Sequence, residues 1–381
     1  MRKIAILLAV LVLFQTDCIK QRKKVEKSRP PLVVHSVLMD CETGDCLFEK
    51  NSLERCVPSS MTKLMTAYLL FARLASGEIR LDDEFPVSLA AQKMPGSRSF
   101  FKAGMMIRVE DLIRSVVVHS GNDACVVVAE GLAGDVNAFA VLMNEKAEEF
   151  GLQNTHFSNP NGIPEEGHFS CVHDLAVICR RLILDFPQFY HYFGEKVFRI
   201  NGVTQQNRNT LLGNALGVDG LKTGKTDAGG YGVAASAESG GKRLIAVVNG
   251  CRSNRDRAQE ANKLLSMGFR EFSSFKITEA GKPIAKAKVW LGVKEEVDLC
   301  THEDVVISVP RRYEKLLKVK VKLSEPVDAP VILGTKIGEL TCSYKNFTSK
   351  KHDLFPCEPV QRAGFLRRAA VSLKHLIFGT P

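Results

Sequence analysis

No stretch of this 381-residue chain is apolar for long enough to cross a bilayer comfortably as a helix, no segment repeats, and no low-complexity tract interrupts it. The apolar run from Ile4 to Phe14, behind two positive charges, has the size of a secretory leader's core. No small-x-small cleavage site follows it. Gln15, Thr16 and Asp17 ahead of Cys18 are polar where a lipid-anchor signal wants small or aliphatic residues. Residues 1–20 therefore read as an export signal whose cleavage point is undefined. Aromatics are few, at 7%, and do not interleave with basic residues, and zinc-finger spacing is missing. The formal charge of +10 thus does not point to nucleic acid. Part of it gathers at the ends, in KQRKKVEKSRP after the leader and again near the C-terminus. For an exported chain this favours anionic lipid and cell-wall polymer as partners.

The eleven cysteines lack a regular framework. Cys41 and Cys46 bracket a turn and allow a cross-hairpin disulfide, but connectivity is not fixed by sequence. Cys125 and Cys179 fall in apolar helical runs and read as buried thiols; no histidine beside Cys125 would activate it. His168, Cys171, His173 and Asp174 match no common zinc spacing, and a helix capped by Ser170 or Cys171 explains them better. No metal or organic cofactor is expected.

What is present is a folded chain, 45% apolar and 25% charged, long enough for two domains with tails. PPLVVHSVLMDCETGDCLFEKN reads as a hairpin, followed by a helix from about Ser59. Two apolar helical runs follow, broken at Ser120-Gly121-Asn122, where an Asn or Asp cap is expected after Gly121. The next helix takes Asp135 as its cap. GYGVAASAE and RLIAVVNG form a second hairpin, and DRAQEANKLLSMGFREF is helical. From about 275 to 345 short runs separated by Gly, Pro and Asp indicate a small all-β domain; within it KVKVKL (318–323) alternates as a strand with one solvated face does. Residues 346–361 read as a polar linker. Residues 362–379 read as an amphipathic helix, with Phe365, Leu366, Ala369, Leu373, Leu376 and Ile377 opposite Arg367, Arg368, Lys374 and His375, suited to an anionic membrane surface.

The chemistry centres on PSSMTKLMTAYLLFARL (58–74). Ser60 and Lys63 share one helix face at the head of an otherwise apolar helix. Serine needs a base to become a nucleophile, and burial favours the neutral form of a lysine, which can then serve as one. Alone, an S-x-x-K is weak evidence: a second, Ser273 to Lys276, sits where no chemistry is apparent. Two further elements follow in order, Ser120-Gly121-Asn122 and Lys222-Thr223-Gly224. The order S-x-x-K, S-x-N, K-T-G is that of penicillin-binding proteins and class A β-lactamases. With SSMTKLMTAYL, HSGNDACVVVAE, FGLQNTHFSNPNG and VDGLKTGKTDAGGYGVAASA, residues 30–272 resemble the low-molecular-mass D-alanyl-D-alanine carboxypeptidases.

That resemblance implies an α/β (α+β) transpeptidase-like domain, with an antiparallel sheet between helices, followed by the β domain. It implies Ser60 as the acylated nucleophile, Lys63 as its base, and Ser120 as the proton relay steadied by Lys222. Asn122 would bind the substrate's peptide backbone, and Lys222 and Thr223 its terminal carboxylate. The N–H groups of Ser60 and Lys225 would form the oxyanion hole, with Gly224 letting substrate lie close. Lys225 departs from the family, where histidine or tyrosine is common. Arg257 is a further candidate cation. Ser97 and Arg98, in a loop that matches the family only roughly, are given no role. The implied partners are the peptidoglycan pentapeptide and β-lactams as covalent inhibitors. A D,D-endopeptidase would use the same residues, and a non-catalytic wall-binding protein could keep the fold. A class A β-lactamase fits less well, since Glu165-Glu166 lacks the usual surroundings of a deacylating glutamate.

Overall fold

The computed structural model describes residues 34–349 and 351–378, so the expected export signal lies outside the described residues. Five strands form the central antiparallel sheet: β1 (His35–Asp40), β2 (Cys46–Lys50), β3 (Val218–Thr226), β4 (Gly230–Ser239) and β5 (Lys242–Cys251). Their order is β2-β1-β5-β4-β3, which leaves β3 on an edge. Side chains alternate between the two faces of a strand. In β5, Ile245 and Val247 enter the larger core, while Leu244, Ala246 and Val248 enter the smaller one. Both faces are therefore covered, and the strands read as near-continuous apolar runs.

The larger core is closed by α1 (Lys63–Ala75), α2 (Val109–Val117), α3 (Asn122–Ala133), α4 (Val136–Glu149) and α5 (Val172–Asp185). The smaller is closed by α6 (Asn254–Glu271), through Ala261, Leu264 and Leu265. Nine of the first residues of α1, Lys63 to Phe71, are buried without a break, which is what a helix apolar all round requires. Asp135 caps α4 through the amides of Asn137 and Ala138, and the Cys171 sulfur accepts from Asp174 at the head of α5. The expected Asn or Asp cap of α3 is absent. Gly121 takes the cap position, and the Asp123 carboxylate receives the amides of Ser99 and Phe101.

The second domain begins directly with β6 (Phe272–Thr278), which pairs β9 (Val305–Pro310). Between them lie β7 (Ala285–Trp290) and β8 (Glu296–Cys300). The KVKVKL segment forms β10 (Lys318–Leu323). It lies on an edge with both faces exposed rather than one, Val319 at 45% and Val321 at 39%. The expected linker is a third correction. Phe347–Thr348 and His352–Pro356 are strands, Leu354 is fully buried, and Val360 pairs Val331. A five-residue strand that buries only Leu354 and Pro356, and ends in a proline, carries too little alternation to be told from a connector. Cys41 and Cys46 are not bridged: a bulge between Leu38 and Met39 sets Cys46 opposite Met39. Cys125 and Cys179 are buried free thiols.

One carboxylate joins the two domains. Buried Asp40 accepts the amides of Glu42 and Thr43 in the β1–β2 turn, and also the Ser308 hydroxyl of β9 at 2.6 Å. The Lys242 amine stands 3.5 Å away. Removing it takes the carboxylate partner from the partly buried Lys242 amine and the acceptor from two turn amides, so Asp40→Ala is expected to lower unfolding free energy by about 2 kcal/mol in urea titration.

Candidate active site

Ser60 sits in a 3-10 turn, Ser59–Thr62, that runs straight into α1. The turn starts from Ser59 at φ +51°, a left-handed conformation uncommon for serine. It is pinned to the edge strand by a 2.8 Å bond between the Ser59 and Thr226 hydroxyls. A Cβ on Gly224 would lie 2.9 Å from the Pro58 carbonyl oxygen, so only glycine lets β3 approach this turn. On the other side a Cβ on Gly162 would lie 1.8 Å from the Ser59 carbonyl oxygen. Ser60 is thus held between two backbones.

Beneath it, Lys63 is fully buried. Its Nζ lies 3.1 Å from Ser60 Oγ, 2.8 Å from Asn122 Oδ1 and 2.6 Å from the Asn161 carbonyl. The orientation of Asn122 follows from its other end, where Nδ2 donates to the Pro95 carbonyl at 2.7 Å. Burial, the largest influence, lowers the amine's proton affinity below the ordinary lysine value; Asp123 opposes it. A neutral amine has two hydrogens and one lone pair. Oδ1 of Asn122 and the Asn161 carbonyl can only accept, so they take the hydrogens. The lone pair is left facing the Ser60 hydroxyl, which of the three described partners is the one with a proton to give.

Ser120 stands between α2 and α3, nearly buried and at φ +68°. Strain of that kind concentrates at functional sites. Lys222 is also buried, and its proton affinity falls well below the usual range through burial and then through the charge of Lys63. Its Nζ donates to the Thr223 carbonyl at 3.1 Å; among the described residues it makes no hydrogen bond to Ser120. Thr223 and Gly224 line the cleft from β3. Lys225 is exposed at the rim, its Nζ 5.2 Å from the centre of the Tyr231 ring. Arg257 also lines the cleft, but its guanidinium is spent on the carbonyls of Gly224, Gly232 and Arg208 and the side chain of Asn254. Burial lowers it to about 10.

These groups surround a cleft of about 660 Å³ that brings Ser60, Ser120, Asn122, Thr223, Gly224 and Lys225 to one surface, with both buried lysines behind it. Sequence reading missed Asn161, whose carbonyl completes the cage around Lys63, and Arg208 on the cleft wall. The Asn161-Gly162 pair is a turn signal that could have marked the loop, but not the atom it delivers. Glu165 accepts from Asn159 within that loop.

Residues 26–253 match the family model described as D-alanyl-D-alanine carboxypeptidase, and residues 272–362 the C-terminal domain of penicillin-binding protein 5. The chain is 36% identical to D-alanyl-D-alanine carboxypeptidase DacD of Salmonella typhimurium, covering 89% of each protein. It is 36% identical to DacA of Escherichia coli over 86% of this chain and 84% of that one. The crystal structure of penicillin-binding protein 5 from Haemophilus influenzae superimposes with a TM-score of 0.83 at 35% identity, covering 87% of this chain and 99% of that one. The seat of the Ser60 turn gives a test: Gly162→Ala forces the loop away from Ser59 and is expected to slow acylation by penicillin at least about tenfold, measured by intact mass against time. From the Ser60 turn to the C-terminal β domain, this chain belongs to the D-alanyl-D-alanine carboxypeptidase family of serine enzymes.

Proposed function

We propose that Ser60 is the acylated residue of this carboxypeptidase and that Lys63 is its base. The observation that carries the assignment is the cage around Lys63, which among its described hydrogen-bond partners leaves Ser60 as the proton donor to a neutral amine. Ser60 Oγ attacks the carbonyl between the two terminal D-alanines of a peptidoglycan stem, and its proton passes to Lys63. The amides of Ser60 and Lys225 face the oxyanion. Ser120, in the field of Lys222, relays a proton to the leaving D-alanine nitrogen and takes in its place the one that Lys63 received from Ser60, so Lys63 is neutral again. Water then hydrolyses the acyl-enzyme. Asn122 spends one Nδ2 hydrogen on Pro95 and keeps the other for the substrate's peptide carbonyl. Thr223, with Lys222, receives the terminal carboxylate. Since Arg257 is committed to backbone, exposed Lys225 adds the freer cation there. β-Lactams enter the same route and stop at the acyl-enzyme. Purified enzyme should release D-alanine from a linear pentapeptide, and Ser60→Ala should lower that rate at least about a thousandfold. A parallel assay on cross-linked dimers separates this activity from endopeptidase cleavage.

The enzyme acts outside the cytoplasm, exported by residues 1–20 and held on the membrane by α7 (Phe365–Phe378). Leu366 and Leu376 on this helix are each 83% exposed and Phe365 75%, an apolar face that nothing in the described chain covers. Arginines 367 and 368 lie beside it. This supports docking on anionic lipid. Chain ending at residue 361 should lose co-sedimentation with anionic vesicles while releasing D-alanine at the full rate.

A further inference from the structure

The loop from Ser158 to His168 meets the nucleophile's turn and helix at four places. The Pro160 carbonyl accepts from Thr66 Oγ1 at 2.6 Å, and the Asn161 carbonyl accepts from Lys63. Gly162 packs its backbone on the Ser59 carbonyl. The fourth contact is a side chain: His168 Nε2 lies 2.8 Å from Thr62 Oγ1. Asn159 shapes the near part of the loop, accepting the Gly162 amide and donating to the Ile163 carbonyl. Its far end is closed by His168.

The imidazole's state is fixed by its neighbours. The Ser158 amide donates to Nδ1 at 3.0 Å, and an amide N–H can only donate, so Nδ1 carries no proton. The proton is on Nε2, which donates to the Thr62 hydroxyl. The ring is buried, edge-on to Phe157. Of the charged groups around it, Glu165 favours protonation, while His156 and Lys63 oppose it along with burial. The balance lowers its titration to about 4, which leaves the ring neutral near neutral pH. A protonated ring would turn an Nδ1–H toward the Ser158 N–H and lose that bond.

We propose that His168 is a positioning residue for acylation of Ser60: its neutral ring ties the end of the loop to Thr62 and so holds the Asn161 carbonyl against the Lys63 amine. The proposal rests on the assignment of Ser60 and Lys63 as nucleophile and base. Thr62 lies between these two residues in sequence, on the turn both depend on. Releasing the tie loosens the loop over Lys63 and admits water to the amine. Burial is the largest influence lowering that amine's proton affinity, so water raises it. The acid limb of the acylation profile, where Lys63 gains its proton, then moves to higher pH.

The test is the second-order rate of penicillin acylation across pH, followed by intact mass on the full chain. It is measured for wild type, His168→Ala, His168→Gln, Thr62→Val and the double variant His168→Ala with Thr62→Val. His168→Ala and Thr62→Val should each slow acylation by on the order of tenfold to a hundredfold and shift the acid limb upward. The double variant should be no slower than the worse single one, because both remove the same tie. His168→Gln, whose amide can donate to Thr62, should recover most of the rate. A folded His168→Ala with wild-type rate and limb overturns the proposal, and so do additive effects in the double variant or no recovery with glutamine. Should His168→Ala fail to fold, Thr62→Val decides alone, and an unchanged rate and limb there overturns the proposal. Wild type that forms no Ser60 adduct removes the nucleophile assignment itself, a failure distinguishable from the others.

Discussion

Everything in the site depends on keeping one amine out of water. Lys63 is buried at the head of the core helix, where its charged form is costly and where, among the described residues, three groups are within hydrogen-bond reach of it. Two of the three can do nothing but accept. Hydrogen-bond satisfaction therefore points the lone pair at Ser60. On the proposed assignment, geometry and dryness are what activate the nucleophile. The second buried lysine, Lys222, extends the same condition: burial above all holds its proton affinity well below the usual lysine range.

Such dryness needs close approach of backbone, and the fold provides it from two sides. Edge strand β3 comes against the turn through Gly224, and the 158–168 loop comes against it through Gly162. Between them the turn leaves regular geometry at Ser59, and the α2–α3 junction does so at Ser120. Both left-handed serines stand at the cleft, Ser120 on its wall and Ser59 next to Ser60, which is where such strain concentrates. The sheet supplies the rigidity for this, since both of its faces are packed against helices.

Much of this was legible from residues alone. Three motifs with their order specify which side chains meet, because each needs a distinct local element: a helix start, a helix junction and an edge strand. The large hairpins and the helix caps at Asp135 and Cys171 followed from periodicity and capping chemistry. What escaped were contributions that have no side-chain signature. The Asn161 carbonyl is backbone, and His168 reads equally well as a buried core histidine until its partners are seen. Asn122 looked like a cap because asparagine before an apolar run usually is one; here both ends of its amide are committed across the site. In the β domain, the His352–Pro356 strand escaped because it is only five residues long and ends in proline, and two buried positions, Leu354 and Pro356, are too few to show a period.

The central claim is that Lys63 is neutral at working pH because it is desolvated. It is tested most directly by titrating the lysine side chains, with ¹³Cε-labelled lysine followed by NMR in wild type and in Lys63→Met. The account predicts a resonance that titrates well below the ordinary lysine range and disappears in the variant. If the resonance lost in Lys63→Met titrates at or above that range, the amine is a cation during catalysis, and it cannot be the base that takes the proton from Ser60.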